Sequence, residues 1–357
     1  MARYSEEVGV RGRVVSLVVG LGLLAACSQA NERALSASSS PAPPVMTTPS
    51  SKVASASAPA AASASAASAP PAPPSVTEER ALQILFPGGA PASCASSSTK
   101  IRCFIGARYE AHPKEKDLAL ALFDEIGDVA GTEREHQMEG GFRGVIQIVP
   151  ELPVGPHERH LRWVLGAQRD IRSFVKAMEA KATTPVRYRH GALAWRFLRS
   201  VGRTTPSAYA GGWEVGYNVK GSLHGSADAV RETIFHEVFH LNDQEHANWS
   251  RRALGKMVDK LMEKCGTKVA CLKPYAPGKT MVRGGTYYAF QPDNGDASHE
   301  YGAELATRYF LEQRAVLEGK AYPEGRFKCG PEENRMAWKA LADEFFGGVD
   351  LVPPCDG

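Results

Sequence analysis

This chain has no Cys-x-x-Cys pair, no internal repeat, no basic cluster and no apolar run of full membrane-spanning length. Without Cys-x-x-Cys pairs, zinc binding by the cysteines is not expected. A formal net charge of +3 with a pI near 8.4, and no concentration of Lys and Arg, gives no electrostatic footprint for nucleic acid. The apolar run Val14–Ala26 falls short of the roughly 20 residues a helix needs to cross a bilayer. From Ser28 to Val76 charges are few and large apolar residues almost missing, so that stretch has nothing with which to bury a core.

What is present at the amino terminus points to export. Arg3, Arg11 and Arg13 precede the short apolar run, which is the anatomy of a secretion signal. Leu24-Ala25-Ala26-Cys27 resembles the lipobox of bacterial lipoproteins. That resemblance implies removal of residues 1–26, acylation of Cys27 as the first mature residue and a lipid-anchored place in the cell envelope. Ser28 after the cysteine resembles the outer-membrane sorting pattern. Residues 27–76, rich in Ala, Ser and Pro, are expected to be a disordered tether spanning roughly 40 Å, with a low-complexity interaction segment as the other reading.

The stretch 77–357 is long enough for one large domain or two lobes, divided as about 77–225 and about 226–357. Its six cysteines suit an oxidising compartment. Proximity pairs Cys94 with Cys103, Cys265 with Cys271, and Cys329 with Cys355.

The chemistry is concentrated in His236-Glu237-Val238-Phe239-His240. Two histidines four apart on a helix share a face and can share a metal, and the glutamate between them is placed as a base for a water. Imidazole nitrogen suits Zn2+, and three protein ligands with one open position make a hydrolytic site. The flanking sequence is helical: Ser226 is a cap, Asp228 lies in the first turn, and Val230, Ile234, Val238 and Leu241 form an apolar stripe. The histidines sit roughly 200° around the helix from that stripe, so the stripe can face a core while they face a cleft.

Two residues compete for the third ligand position. His246 has the metzincin spacing His-Glu-x-x-His-x-x-Gly-x-x-His, but Asp243 stands where that motif turns on glycine. Without the turn His246 stays at the helix end as a solvated histidine. Glu300 lies in Ser298-His299-Glu300-Tyr301-Gly302-Ala303-Glu304, with Ser298 as a cap and Gly302, Ala303 and Ala306 small enough for close approach to the first helix. Two histidines from one helix and a glutamate from another form the His₂Glu set known from thermolysin.

Here the chain resembles the gluzincin metallopeptidases related to the anthrax lethal factor catalytic domain and the secreted Pro-Pro endopeptidases. Glu300-Tyr301-Gly302-Ala303-Glu304 is similar to their Glu-Phe-Phe-Ala-Glu segment, and His236-Glu237-x-x-His240-x-x-Asp243 to their His-Glu-x-x-His-x-x-Asp. The resemblance spans Ala227 to Leu311 and implies an α+β zincin-like fold with an active-site helix, a mixed sheet with an edge strand and a second ligand-bearing helix. It makes Asp243 and Glu304 carboxylates that orient metal ligands. The group's catalytic tyrosine, seven residues before the ligand glutamate, is replaced by Asp293. Tyr287, Tyr288 and His299 are then open alternatives for stabilising the oxyanion.

The expected activity is hydrolysis of peptide bonds in extracytoplasmic proteins or peptides, with Glu237 as general base. A zinc-containing surface lipoprotein that only binds is the other class. Trp213–Val219 alternates and is read either as the substrate-binding edge strand or as an ordinary core hairpin. Helices are expected over Lys116–Val129, Pro156–Lys181 and Glu332–Phe346, and strands over Gly144–Val149, Pro185–Tyr188 and Ala194–Leu198. An insertion with its own helix and bridge should carry Cys265 and Cys271. His157 and His160 are expected to cap or to be solvated.

Overall fold

The computed structural model describes residues 75–139, 144–282, 285–291 and 296–356. The signal segment, Cys27, the tether through residue 74 and Asp293 lie outside the described residues. The fold is mixed α+β, and none of its described helices is long and apolar enough to cross a membrane.

Helices α1 (Glu78–Leu85), α2 (Lys100–Arg108) and α3 (Pro113–Ile126) come first. Helix α3 starts with Pro113 in its first turn and stops at Gly127, whose φ of 92° ends it three residues earlier than the apolar pattern indicated. Strands β1 (Val129–Thr132), β2 (His136–Glu139) and β3 (Val145–Pro150) follow. Then come α4 (Glu158–Glu179), β4 (Ala194–Ser200), β5 (Ala208–Gly211) and β6 (Glu214–Asn218). The sheet order is β2-β3-β4-β6-β5, with β1 also on β4. The first half of β4 pairs in parallel with β1, its last residues pair antiparallel with β3, and β6 runs parallel along its other side.

Two expectations for this region are corrected. Pro185–Tyr188 forms no strand: the amides of Arg187 and Tyr188 both donate to the Phe345 carbonyl, each at 2.8 Å, so the segment is tied to a helix end instead of a sheet. Of the two readings of Trp213–Val219, the core hairpin holds and the edge strand does not. Its strand β6 is paired on both sides, by β4 and by antiparallel β5, and β5 is the edge.

The remaining helices are α5 (Ala227–Glu245), α6 (Trp249–Cys265), α7 (Val269–Leu272), α8 (Ala297–Leu317) and α9 (Glu332–Phe345). All three disulfides pair as proximity indicated: Cys94–Cys103, Cys265–Cys271 and Cys329–Cys355.

One apolar core draws on both halves of the folded region. Leu161, Val164, Leu165, Ile171 and Val175 of α4 are buried in it, together with Val230, Ile234, Val238 and Leu241 of α5. Aromatic rings fasten the helices that matter for the site. Phe235, next to His236, stacks on Phe310 of α8 at 4.3 Å and on Tyr188 at 5.2 Å, while Tyr309 stacks on Phe346 at 4.6 Å. Such pairs contribute about 0.5–1.5 kcal/mol each beyond burial. Asp128 plays the polar counterpart: fully buried, it accepts from Gln168 Nε2 (2.6 Å), the Leu193 amide (2.8 Å) and Trp195 Nε1 (2.7 Å), joining α4, β1 and β4.

Candidate metal centre

Helix α5 begins where Ser226 Oγ accepts from the Ala229 amide at 3.1 Å and continues unbroken through Asp243 to Glu245. The chain reverses only at Ala247 and Asn248, which have φ of 54° and 53°. A metzincin turn at position 243 is therefore missing, and His246 is left at the helix end. There its Nδ1 lies 2.6 Å from Glu344 Oε1 and its ring 4.5 Å from that of Phe345, so it is a packed, hydrogen-bonded side chain and not a solvated one.

Helix α8 is capped by Asp296, not Ser298: the Asp296 carboxylate accepts from the Ser298 amide (3.0 Å) and hydroxyl (2.6 Å). One turn on, Gly302 has no room for a side chain. A Cβ there would overlap Ser250 Oγ of α6 and sit 3.3 Å from Phe239 Cε1 of α5. That close approach, anticipated from the small residues, brings Glu300 to the α5 histidines.

His236 Nε2 lies 3.1 Å from His240 Nε2 and 3.2 Å from Glu300 Oε2, and His240 Nε2 lies 3.6 Å from the same oxygen. Donors bound tetrahedrally at about 2.0–2.2 Å stand about 3.3–3.6 Å apart, so the three atoms have close to the spacing of one face of such a site. His236, His240 and Glu300 are the group that could hold a metal ion among the described residues, and His246 is not in it.

The charges agree. Burial lowers His236, but the hydrogen bond and charge of Glu300, with Glu237 and Glu304 behind, hold it at about 9. Burial raises Glu300, and the hydrogen bonds and charges of His236 and His240 more than reverse this, taking it far below the usual carboxylate range. Carboxylates that favour a proton on His236 equally favour a cation between the donors.

Glu237 is buried in the same cleft, its carboxyl pushed up by burial and drawn back by His236 and His240. Glu304, one turn beyond Glu300, has Oε1 3.8 Å from His236 Nδ1, on the side of the ring away from the shared donors. Asp243 differs from its expected role. Its Oδ1 accepts from the Ser250 amide (2.7 Å) and its Oδ2 pairs with His299 Nδ1 (2.7 Å), so it holds His299 instead of a ligand histidine. His299, raised by that hydrogen bond, lines the cleft.

Tyr288 also reaches the centre. Its ring is 5.9 Å from that of His236, and burial, then the charges of Glu300 and Glu237 and a hydrogen bond with Glu300, push its phenol up. Tyr287 instead pairs with Met281 and packs on the core. Sequence reading missed the segment that delivers Tyr288. The Tyr288 amide donates to the Thr280 carbonyl (2.8 Å), and the Pro277-Gly278 turn ahead of it presses on Glu304. The Pro-Gly dipeptide was the available signal.

The cleft measures about 1490 Å³, beyond the roughly 300–1,000 Å³ of small-molecule pockets. Ala208, Tyr209 and Ala210 of the edge strand β5 line one wall. No protein-family model matches this chain, and neither a curated protein nor a solved structure matches it.

Proposed function

We propose that the protein is a zinc-dependent metallopeptidase of zincin-like, gluzincin type, held by lipid at Cys27 in the bacterial cell envelope, on the outer-membrane side, and acting on extracytoplasmic proteins or peptides. The observation that carries this reading is the convergence of His236, His240 and Glu300 from two helices beside the buried carboxylate of Glu237. Two imidazoles and one carboxylate are a donor set that suits zinc. Zinc held there supplies Lewis acidity, which makes a water more acidic and a carbonyl more electrophilic at neutral pH.

The protein's own groups do the rest. Glu237 takes a proton from the attacking water and returns it to the leaving amine. Tyr288 and His299 are candidates to stabilise the carbonyl oxygen as charge develops, a contribution of about 3–4 kcal/mol for one well-placed donor. Glu304, with Oε1 3.8 Å from His236 Nδ1, is the carboxylate that would orient the His236 ring when its other nitrogen binds metal. Among the described residues strand β5 is paired only with β6, so its other edge can take an extended peptide as an added strand along the cleft.

The test is Glu237→Gln in the full chain, with metal content and cleavage of a broad peptide library measured together. Zinc should remain bound while cleavage falls by about 10²- to 10⁴-fold. Zinc-loaded wild type that cleaves nothing and matches Glu237→Gln would replace this reading with that of a zinc-containing binding module.

A further inference from the structure

Away from the metal donors, three histidines gather between α4 and the loop that follows β6. His160 is 1 % exposed and His224 3 %, contrary to the expectation that His160 caps or is solvated. His224 Nδ1 lies 2.8 Å from the Asn218 carbonyl and must donate to it, which leaves Nε2 with a lone pair. The ring stacks on Tyr217 at 4.0 Å and 11°. His160 Nδ1 meets the Tyr217 hydroxyl at 3.0 Å, and its ring stands edge-on to Trp163 at 5.2 Å and 6.4 Å from His224. Nε2 of both residues, and Nδ1 of His157, are buried without a hydrogen-bond partner among the described residues.

A second proton on either ring would therefore be an unpaired interior cation. Arg159 on α4 makes this worse at His160, while Arg159, Arg199 on β4 and Lys220 after β6 act on the neighbouring His157. Glu151 supplies a carboxylate, but to His157 at 3.8 Å and Arg199 at 3.2 Å. Tyr217 is held protonated by burial.

The loop that His224 anchors builds part of the cleft. Gly221 donates to the Asn218 carbonyl (2.8 Å), Ser222 to Thr204 (2.9 Å) and the Leu223 amide to Ser207 Oγ (3.1 Å). Ser222 and Leu223 line the cleft, and Ser226 caps the metal-bearing α5. A Cβ at Gly221 would lie 2.8 Å from His224 Nδ1, so the turn is shaped around that ring.

We propose that His160 and His224 form an acid-sensitive latch: neutral, they hold the Asn218–Ser226 loop against α4, and on protonation the loop and its cleft wall are released while the rest of the domain stays folded. Burial, with His224, Arg159 and His157, holds His160 down to about 3, and burial holds His224 down to about 4 against the help of the Asn218 carbonyl. Both lie below the ordinary value, so the latch is fully closed above about 6.5 and is lost as pH falls through about 4. This inference does not depend on the peptidase reading.

The experiment follows hydrogen exchange by mass spectrometry in the full chain from pH 7 to 3, with and without chelator, alongside NMR titration of the histidine Cε1 protons. Peptides covering 217–226 should lose protection while those from α8 and the end of α4 keep it, in step with titration of two histidines below pH 5 and equally without metal. The double variant His160→Asn/His224→Asn keeps an amide in place of each Nδ1 and, with no ring left to protonate there, should hold its loop to a lower pH than the wild type. Buried histidines titrating near 6.5 in an intact fold, loop opening only with global unfolding, or an unchanged threshold in the double variant would each overturn the latch. If that variant does not fold, the wild-type titration and exchange decide alone.

Discussion

A methyl group at Gly278 should weaken the metal site without weakening the fold. An alanine Cβ there would overlap Glu304 Oε2 and come within 2.8 Å of its Cδ. The obstructing atoms are the far end of a flexible side chain, so the carboxylate moves and the backbone does not. Gly278 is not in the left-handed region, and alanine at a compatible position even stabilises by about 0.4–1 kcal/mol through the unfolded chain. The displaced carboxylate, however, is the one 3.8 Å from His236 Nδ1. Losing a group that orients a ligand histidine typically costs 10- to 100-fold in metal affinity, about 1.4–2.7 kcal/mol. Competition against a chromophoric chelator should show that loss for Gly278→Ala at unchanged thermal stability. Glu304→Gln should show a similar loss, and the double variant should be no worse than the single ones. Wild-type zinc affinity in Gly278→Ala, within threefold, would refute the role given to Glu304.

Glu300→Ala removes one of three donors and should lower zinc affinity by at least about 10²-fold, whereas His246→Ala should keep zinc and lose only the Glu344 pair, about 1–3 kcal/mol of stability. Zinc retained by the first and lost by the second would reverse the ligand assignment. Gly302→Ala forces α8 off Ser250 and should cost about 1–3 kcal/mol while also loosening zinc, because the same displacement carries Glu300 away from the histidines. Denaturant titration should rank the disulfides by the chain they close: about 3.5 kcal/mol lost on removing Cys329–Cys355, which spans 26 residues, and about 2 kcal/mol for Cys265–Cys271, which spans 6. Equal losses would show that loop entropy is not the controlling term.

Much of this protein was determined by sequence alone because the controlling forces are local. The His236–His240 spacing, the Ser226 cap and the Val230–Leu241 stripe depend on helical periodicity, and three short-range cysteine pairings depend on loop entropy. The missing glycine at position 243 likewise implied a helix that does not turn there. Tertiary structure decided everything that depends on what lies across a gap. Only packing could show that Asp243 grips His299, that His246 meets Glu344, and that the Pro277–Tyr288 segment carries Gly278 onto Glu304 and Tyr288 onto Glu300. Likewise β6 alternates like an edge strand, yet it lies inside the sheet, because β5 contributes backbone hydrogen bonds that no side-chain pattern records. His160 reads as a polar residue near a helix start. Its burial came from Tyr217 and His224, more than fifty residues away, which close over it only once β6 is in place.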